Sequence, residues 1–148
     1  MKPEAFPPLN EAQARHVRVT LATLEKLLAE LRTHLQHPPQ NLRLTRYEEC
    51  FDPREAASLM PEVSEVEARV WRLADALALP AANESVRRSL VVGLELAAIG
   101  LEECRPEHGL RGYGDVPTET ADYLEREIAV LEEAIHRLIA RLQSPPCP

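Results

Sequence analysis

The chain has 148 residues, of which 45% are hydrophobic and 28% are charged, and its formal net charge is -7. These totals are typical of a folded globular protein and exclude a disordered chain. The acidic balance also excludes a nonspecific nucleic-acid binder, which needs an excess of Lys and Arg. No apolar run approaches the roughly 20 residues that cross a bilayer, so we expect no membrane partner. The length predicts one domain over residues 1–148, with irregular tails at 1–8 and 144–148.

The cysteines and the N-terminal sequence predict where the protein is located. Cys50, Cys104 and Cys147 are widely separated and form no CxxC pair. Such thiols are typical of a reducing compartment and offer no disulfide or zinc framework. The sequence MKPEAFPPLNEAQ has no hydrophobic signal core. We therefore expect a cytoplasmic protein.

Four segments carry apolar residues at alternating steps of four and three, which keeps one apolar row, here called a seam, along a helix. The first seam contains Val17, Leu21, Leu24, Leu28, Leu31 and Leu35, and the second contains Leu59, Val63, Val66, Val70, Leu73 and Leu77. The third contains Leu90, Leu94, Ala97, Leu101 and Cys104, and the fourth contains Leu124, Ile128, Leu131, Ile135, Leu138 and Leu142. Four such helices predict an all-α fold, an antiparallel four-helix bundle.

Helix 1 is predicted to follow Asn10, a good N-terminal cap with Gln13 as its capping-box partner, and to run to about Gln36. Pro38 ends it. The connection to helix 2 is long, and we expect it to be partly packed against the bundle because it is rich in apolar side chains. These are Leu42, Leu44, Tyr47 and Phe51.

Helix 2 is predicted to start at the string DPRE, with Asp52 as the cap and Pro53 at the first position. Pro61 predicts either a restart or a kink near Met60, and Pro80 is expected to end the helix. Helix 3 begins near residue 83 or 85, ends at residue 104 or 105, and lies antiparallel to helix 2. Helix 4 runs from a cap at residue 118 to about residue 143.

Helix 4 contains Glu133 and His136 at the ExxH spacing of di-iron carboxylate bundles, which need inward-facing ligands. The seam turns both side chains outward, and no glutamate is expected inside the seams of helices 2 and 3. We therefore predict no metal site. No cofactor-binding motif occurs, so we expect no cofactor.

The loop at 106–117 combines three glycines with four side chains that often occur in binding sites. These are His108, Arg111, Tyr113 and Asp115. Backbone NH groups of such a loop, ahead of a helix, can hold an anion. The loop matches no phosphate-binding fingerprint, and a structured turn, with Tyr113 packed across the bundle end, is the favoured interpretation.

Helix 3 is apolar nearly all round. Val92, Leu96 and Ile99 form a second stripe outside its seam, and Gly93 and Gly100 would let another helix come close. Either the segment 42–51 or a second subunit covers this stripe. Trp71, at an outward position of helix 2, adds another large apolar side chain typical of an interface.

These patterns favour a small, non-enzymatic interaction or regulatory bundle that forms a homodimer, or binds a protein partner, through helix 3. The alternative is a ligand-binding or catalytic bundle with its polar site in the glycine loop.

Overall fold

A computed structural model describes residues 7–145. In this part of the chain there are four α-helices and one short 3-10 helix, and no strand. The α-helices are α1 (Glu11–Gln36), α2 (Pro53–Ala76), α3 (Val86–Glu103) and α4 (Thr118–Gln143), and the 3-10 helix is Leu110–Tyr113. The predicted all-α class with four helices is confirmed. Of the predicted tails, residues 1–6 and 146–148 lie outside the described residues.

The chain divides into two compact units, Met1–Ala81 with α1 and α2, and Ala82–Pro148 with α3 and α4. In each unit, later positions of the first helix contact earlier positions of the second. In the first unit Glu25 contacts Trp71, whereas Arg32 contacts Glu67. In the second unit Arg87 contacts Leu142, whereas Arg105, just after α3, contacts Glu132. Each unit is therefore an antiparallel helical hairpin. The predicted pairing of helix 2 with helix 3 stays a prediction.

Three of the predicted helix starts are confirmed by their capping hydrogen bonds. The Gln13 backbone N–H donates to Asn10 Oδ1 at 2.9 Å, and the Asn10 N–H donates back to Gln13 Oε1 at 3.0 Å. Asp52 Oδ1 accepts two backbone N–H groups at the start of α2, and Ser85 accepts one at the start of α3. Each cap satisfies backbone donors that have no partner within the helix.

Two predicted boundaries are wrong, the end of helix 2 and the cap of helix 4. Helix α2 continues through Pro61, so of the two alternatives there the restart is excluded and the kink stays a prediction. Helix α2 ends at Ala76, before Pro80. It ends early because Ala78 takes a left-handed conformation (φ 49°) and the Leu79 N–H donates to the Ala74 carbonyl at 2.9 Å, a Schellman motif. Thr118, the predicted cap of helix 4, is the first residue of α4, and the preceding proline makes no side-chain cap.

The predicted seams are partly wrong, because in α2, α3 and α4 every second interface position lies one residue further along the chain. In α2 the buried position is Glu67 and not Val66, and in α3 it is Val91 and not Leu90. In α4 Ile139 is buried, whereas Leu138 is 46% exposed. The shared positions, such as Val63, Val70 and Ile128, are buried as predicted.

A glutamate lies inside the α1–α2 interface, which contradicts the prediction that none would. Glu67 is 8% exposed, and both of its carboxylate oxygens accept hydrogen bonds from the Arg32 guanidinium. Arg32 also donates to Ser64 Oγ at 3.0 Å. The hydrogen bond to Glu67 raises the pKa of Arg32. The pair satisfies the buried carboxylate, which would otherwise be costly to desolvate.

The connection between α1 and α2 is not packed as predicted. Leu44 is 94% exposed and Leu42 is 62% exposed, and Tyr47 and Phe51 are more than a third exposed. The local structure comes from polar groups, since the Tyr47 N–H donates to Asn41 Oδ1 at 2.9 Å. The apolar side chains of this segment therefore cover no helix completely.

Candidate functional site

The outer face of α3 is a candidate binding surface. Val92, Leu96 and Ile99 are 47%, 64% and 62% exposed, and α3 contacts α4 instead through Val91 and its neighbours on that face. A Cβ atom built on Gly93 or Gly100 would have no neighbour within 4 Å. We call these five residues (Val92, Gly93, Leu96, Ile99 and Gly100) the α3 surface. The stripe is exposed as predicted, and the glycines lie open beside it.

Trp71 belongs to the other unit and is fixed within it. Its indole is half exposed, and Nε1 donates to Glu25 Oε1 of α1 at 2.8 Å. A buried or half-buried indole N–H usually finds such a partner. Trp71 therefore links the two helices of its hairpin, and its predicted part in an interface stays a prediction.

Two glycines of the 106–117 loop have structural roles. A Cβ atom at Gly109 would collide with the backbone carbonyl of Glu103, so the loop folds tightly against the end of α3. Gly114 has φ 127°, a conformation that side chains rarely adopt. These requirements explain the glycines without a ligand.

The four candidate side chains of this loop are placed differently from one another. His108 Nδ1 lies 2.8 Å from Glu102 Oε1, at the end of α3. Tyr113 is 92% exposed, so the predicted packing of its ring across the bundle end is wrong. Within residues 7–145 no hydrogen bond or ion pair joins Arg111, Tyr113 or Asp115 to His108 or to one another. The loop therefore presents four separate groups.

The strongest electrostatic cluster of the second unit surrounds Arg105, which the sequence patterns did not single out. Its guanidinium donates to Glu102 at 2.8 Å, to Glu132 at 2.6 Å and to Glu125. The hydrogen bond to Glu132 raises the pKa of Arg105, and the same bond lowers the pKa of Glu132. With each terminal nitrogen and Nε paired, Arg105 fastens the end of α3 to α4. Three of its five N–H donors are used in these contacts.

A shallow groove runs between α3 and α4 beside this cluster. Its polar lining consists of Glu95, Glu102, Glu132 and His136, and its apolar lining includes Ile99 and Ile139. Glu133, the other residue of the ExxH pair, points away and pairs with Arg137 at 2.6 Å. The outward position of Glu133 is therefore confirmed. Within the described residues no three His, Cys, Asp or Glu side chains are grouped as a metal site requires.

Comparison of the chain with protein-family models, with curated protein sequences and with solved structures gives no match. In the described part of the chain, none of the helices combines the length and apolarity that crossing a membrane requires. The function must therefore be inferred from the residues themselves.

Proposed function

We propose that the protein is a small, non-enzymatic interaction or regulatory helical protein that forms a homodimer through the α3 surface. The observation that carries the proposal is the exposed stripe of Val92, Leu96 and Ile99 on a helix already packed on its opposite face. Exposed apolar patches of this kind commonly mark protein–protein interfaces. We further propose that it acts in the cytoplasm, because the thiols of Cys50 and Cys104 are exposed and unpaired.

The size of the stripe sets the strength of association to expect. Complete burial of a Val, Leu or Ile side chain is worth about 2 kcal/mol, so three half-exposed side chains offer roughly 3 to 4 kcal/mol per chain. The two chains of a dimer together offer roughly 6 to 8 kcal/mol, and association itself costs at least about 4 kcal/mol. The stripe alone therefore supports weak pairing, and neighbouring residues must contribute if the dimer forms at micromolar concentration.

The competing hypothesis is that the 42–51 segment of the same chain, and not a second subunit, covers the apolar stripe of α3. It has little support, because Leu42 and Leu44 are themselves largely exposed and bury little surface of any kind. A ligand site in the 106–117 loop also has less support, because its candidate side chains form no common cluster. Self-association is the proposed function that a defined surface, the α3 surface, supports.

Sedimentation velocity and light scattering over a wide concentration range test this proposal. We expect the wild type to become dimeric with rising concentration, and Val92→Glu combined with Ile99→Glu to give a folded monomer, because only the dimer buries the new charges. Val130→Glu is the matched control, since Val130 is 59% exposed on the side of α4 away from α3. A wild type that stays monomeric throughout would refute the proposal.

A further inference from the structure

The charges of α3 are reversed relative to its helix dipole. Its first turn carries Arg87 and Arg88 with no acidic residue, and its last turn carries Glu102 and Glu103 with no basic residue. Cations near a helix N-terminus and anions near its C-terminus are unfavourable. Arg87 has a partner within the hairpin, because its guanidinium donates to the Leu142 carbonyl at 3.3 Å. Glu102 has a partner in Arg105. Arg88 and Glu103 form no ion pair within residues 7–145.

These two charges flank the apolar stripe, and the Glu103 carboxylate also lies against Gly109 of the 106–117 loop. Arg88, Val92, Leu96, Ile99 and Glu103 follow one another at steps of four, four, three and four, so they lie within an arc of about 80° on the helix. All five are exposed. The outer face of α3 therefore has a positive charge at its N-terminal end, apolar side chains in its centre and a negative charge at its C-terminal end.

We infer that two copies of α3 pack antiparallel, with a two-fold axis beside Leu96, and this rests on the proposed self-association. At 1.5 Å per residue, Arg88 lies about 12 Å from Leu96 and Glu103 lies about 10.5 Å on its other side. The axis therefore brings Arg88 within about 1.5 Å, along the helix, of Glu103 of the partner subunit. A parallel pair would instead place each charge beside its own copy, which is repulsive.

The glycines fit the same axis. Val92 and Gly100 are each four residues from Leu96, on opposite sides, and Ile99 and Gly93 are each three residues from it. At about 100° per residue, Val92 and Ile99 lie on one side of Leu96 and the two glycines lie on the other. The axis thus sets Val92 beside Ile99 of the partner subunit on one edge of the contact, and Gly93 beside Gly100 of the partner subunit on the other edge. Apolar side chains meet on the first edge, and on the second edge neither backbone carries a side chain. Within residues 7–145 a Cβ atom at either glycine would meet no neighbour within 4 Å. Close helix approach explains glycines that otherwise weaken α3.

One pair of like charges opposes this arrangement. Glu95 is one residue from the axis, so the two Glu95 carboxylates of a dimer lie near the same edge. Glu95 is exposed, and salt screens repulsion between exposed charges. The two Arg88–Glu103 pairs have the opposite sign and lie at both ends of the stripe.

Charge exchange in the full chain tests the orientation, with the dimer dissociation constant measured by sedimentation equilibrium. Arg88→Glu and Glu103→Arg should each weaken the antiparallel dimer by roughly tenfold, because two ion pairs become two repulsions. The double variant should return to within about threefold of the wild type. An equimolar mixture of the two single variants should also pair more tightly than either alone. Arg126→Glu, on the outer side of α4, is the control for the change in net charge made by Arg88→Glu.

Each outcome separates the two proposals. Both single substitutions improve the match between charge and helix dipole, and Glu103→Arg also removes the carboxylate that lies against Gly109. A purely structural role therefore predicts changes in thermal stability by circular dichroism, and no effect on the mass. A dimer unchanged by either single substitution would refute the antiparallel arrangement and leave self-association intact. A wild type that never dimerises would refute both. Single variants that weaken the dimer without recovery in the double variant would also overturn the assigned register.

Discussion

The corrected seam of α4 makes a quantitative prediction about two neighbouring residues of the same size. Ile128 is 4% exposed and Leu131 is 48% exposed, although the apolar pattern places both in one seam. Replacing either residue by alanine removes three carbon atoms. At about 0.8 kcal/mol for each buried carbon, the transfer free energies lost are about 2.3 kcal/mol for Ile128 and about 1.2 kcal/mol for Leu131.

A cavity increases the difference. The space left at Ile128 is enclosed by the helix interface and adds to the loss, whereas solvent fills the space at Leu131. We expect Ile128→Ala to lower the free energy of unfolding by about 3 kcal/mol and Leu131→Ala by about 1 kcal/mol. Urea unfolding followed by far-ultraviolet circular dichroism, at concentrations where the protein is monomeric, measures both. Equal losses, or a larger loss at Leu131, would refute the assigned interface.

Two further predictions concern the second unit. The hydrogen bond from Arg105 lowers the pKa of Glu132 below its ordinary value of 4.5. Glu132 therefore contributes stability that is present above pH 4.5 and is lost as the pH falls through the folded-state pKa. In a plot of unfolding midpoint against pH, Glu132→Gln should make the decline at acid pH less steep, and an unchanged slope would contradict the role of the pair. In the 106–117 loop, Arg111→Ala and Asp115→Ala should each change stability by only a few tenths of a kcal/mol, whereas Gly109→Ala should cost more than about 1 kcal/mol because its Cβ meets the Glu103 backbone. Thermal unfolding measures all three, and a large loss in either alanine variant of the polar residues would show that the loop depends on their side chains.

Local signals predicted the helix starts because capping involves residues only three positions apart. The hydrogen bonds of Asn10 with Gln13, and of Asp52 and Ser85 with the following backbone, need no knowledge of the rest of the fold. The end of α2 was not predictable in the same way. It depends on Ala78 in a left-handed conformation, which alanine adopts rarely, so the later Pro80 looked like the stronger signal.

The seams of α2 and α4 were displaced in part because the hydrophobic pattern excludes charged residues from an interface. The positions it missed there include Glu67 and Glu132, each of which lies at a helix interface in an ion pair. Their arginine partners, Arg32 and Arg105, are 35 and 27 residues away in the chain. Periodicity within one helix carries no information about such a partner, so it selected the neighbouring apolar residue instead.

For the candidate sites too, the sequence predicts what one helix contains and does not predict which distant residues meet. The stripe of Val92, Leu96 and Ile99 could be predicted because it is contained in one helix, and its exposure follows once Val91 is the residue that packs against α4. The side chains of the glycine loop could not be assigned to a site or a turn, because that depends on whether separate groups converge. His108 turns to Glu102, and Tyr113 turns to solvent.

The two hairpins share a layout that connects stability to association. In each, an arginine at the end of the first helix pairs with a glutamate inside the second, while Leu73 or Leu138 remains about half exposed. Ion pairs at an interface fix which residues face one another but contribute less net stability than apolar packing of the same volume. No side chain among the described residues is less than 2% exposed, so neither hairpin encloses a fully buried core. Any partner that binds the folded α3 surface therefore stabilises the chain by mass action.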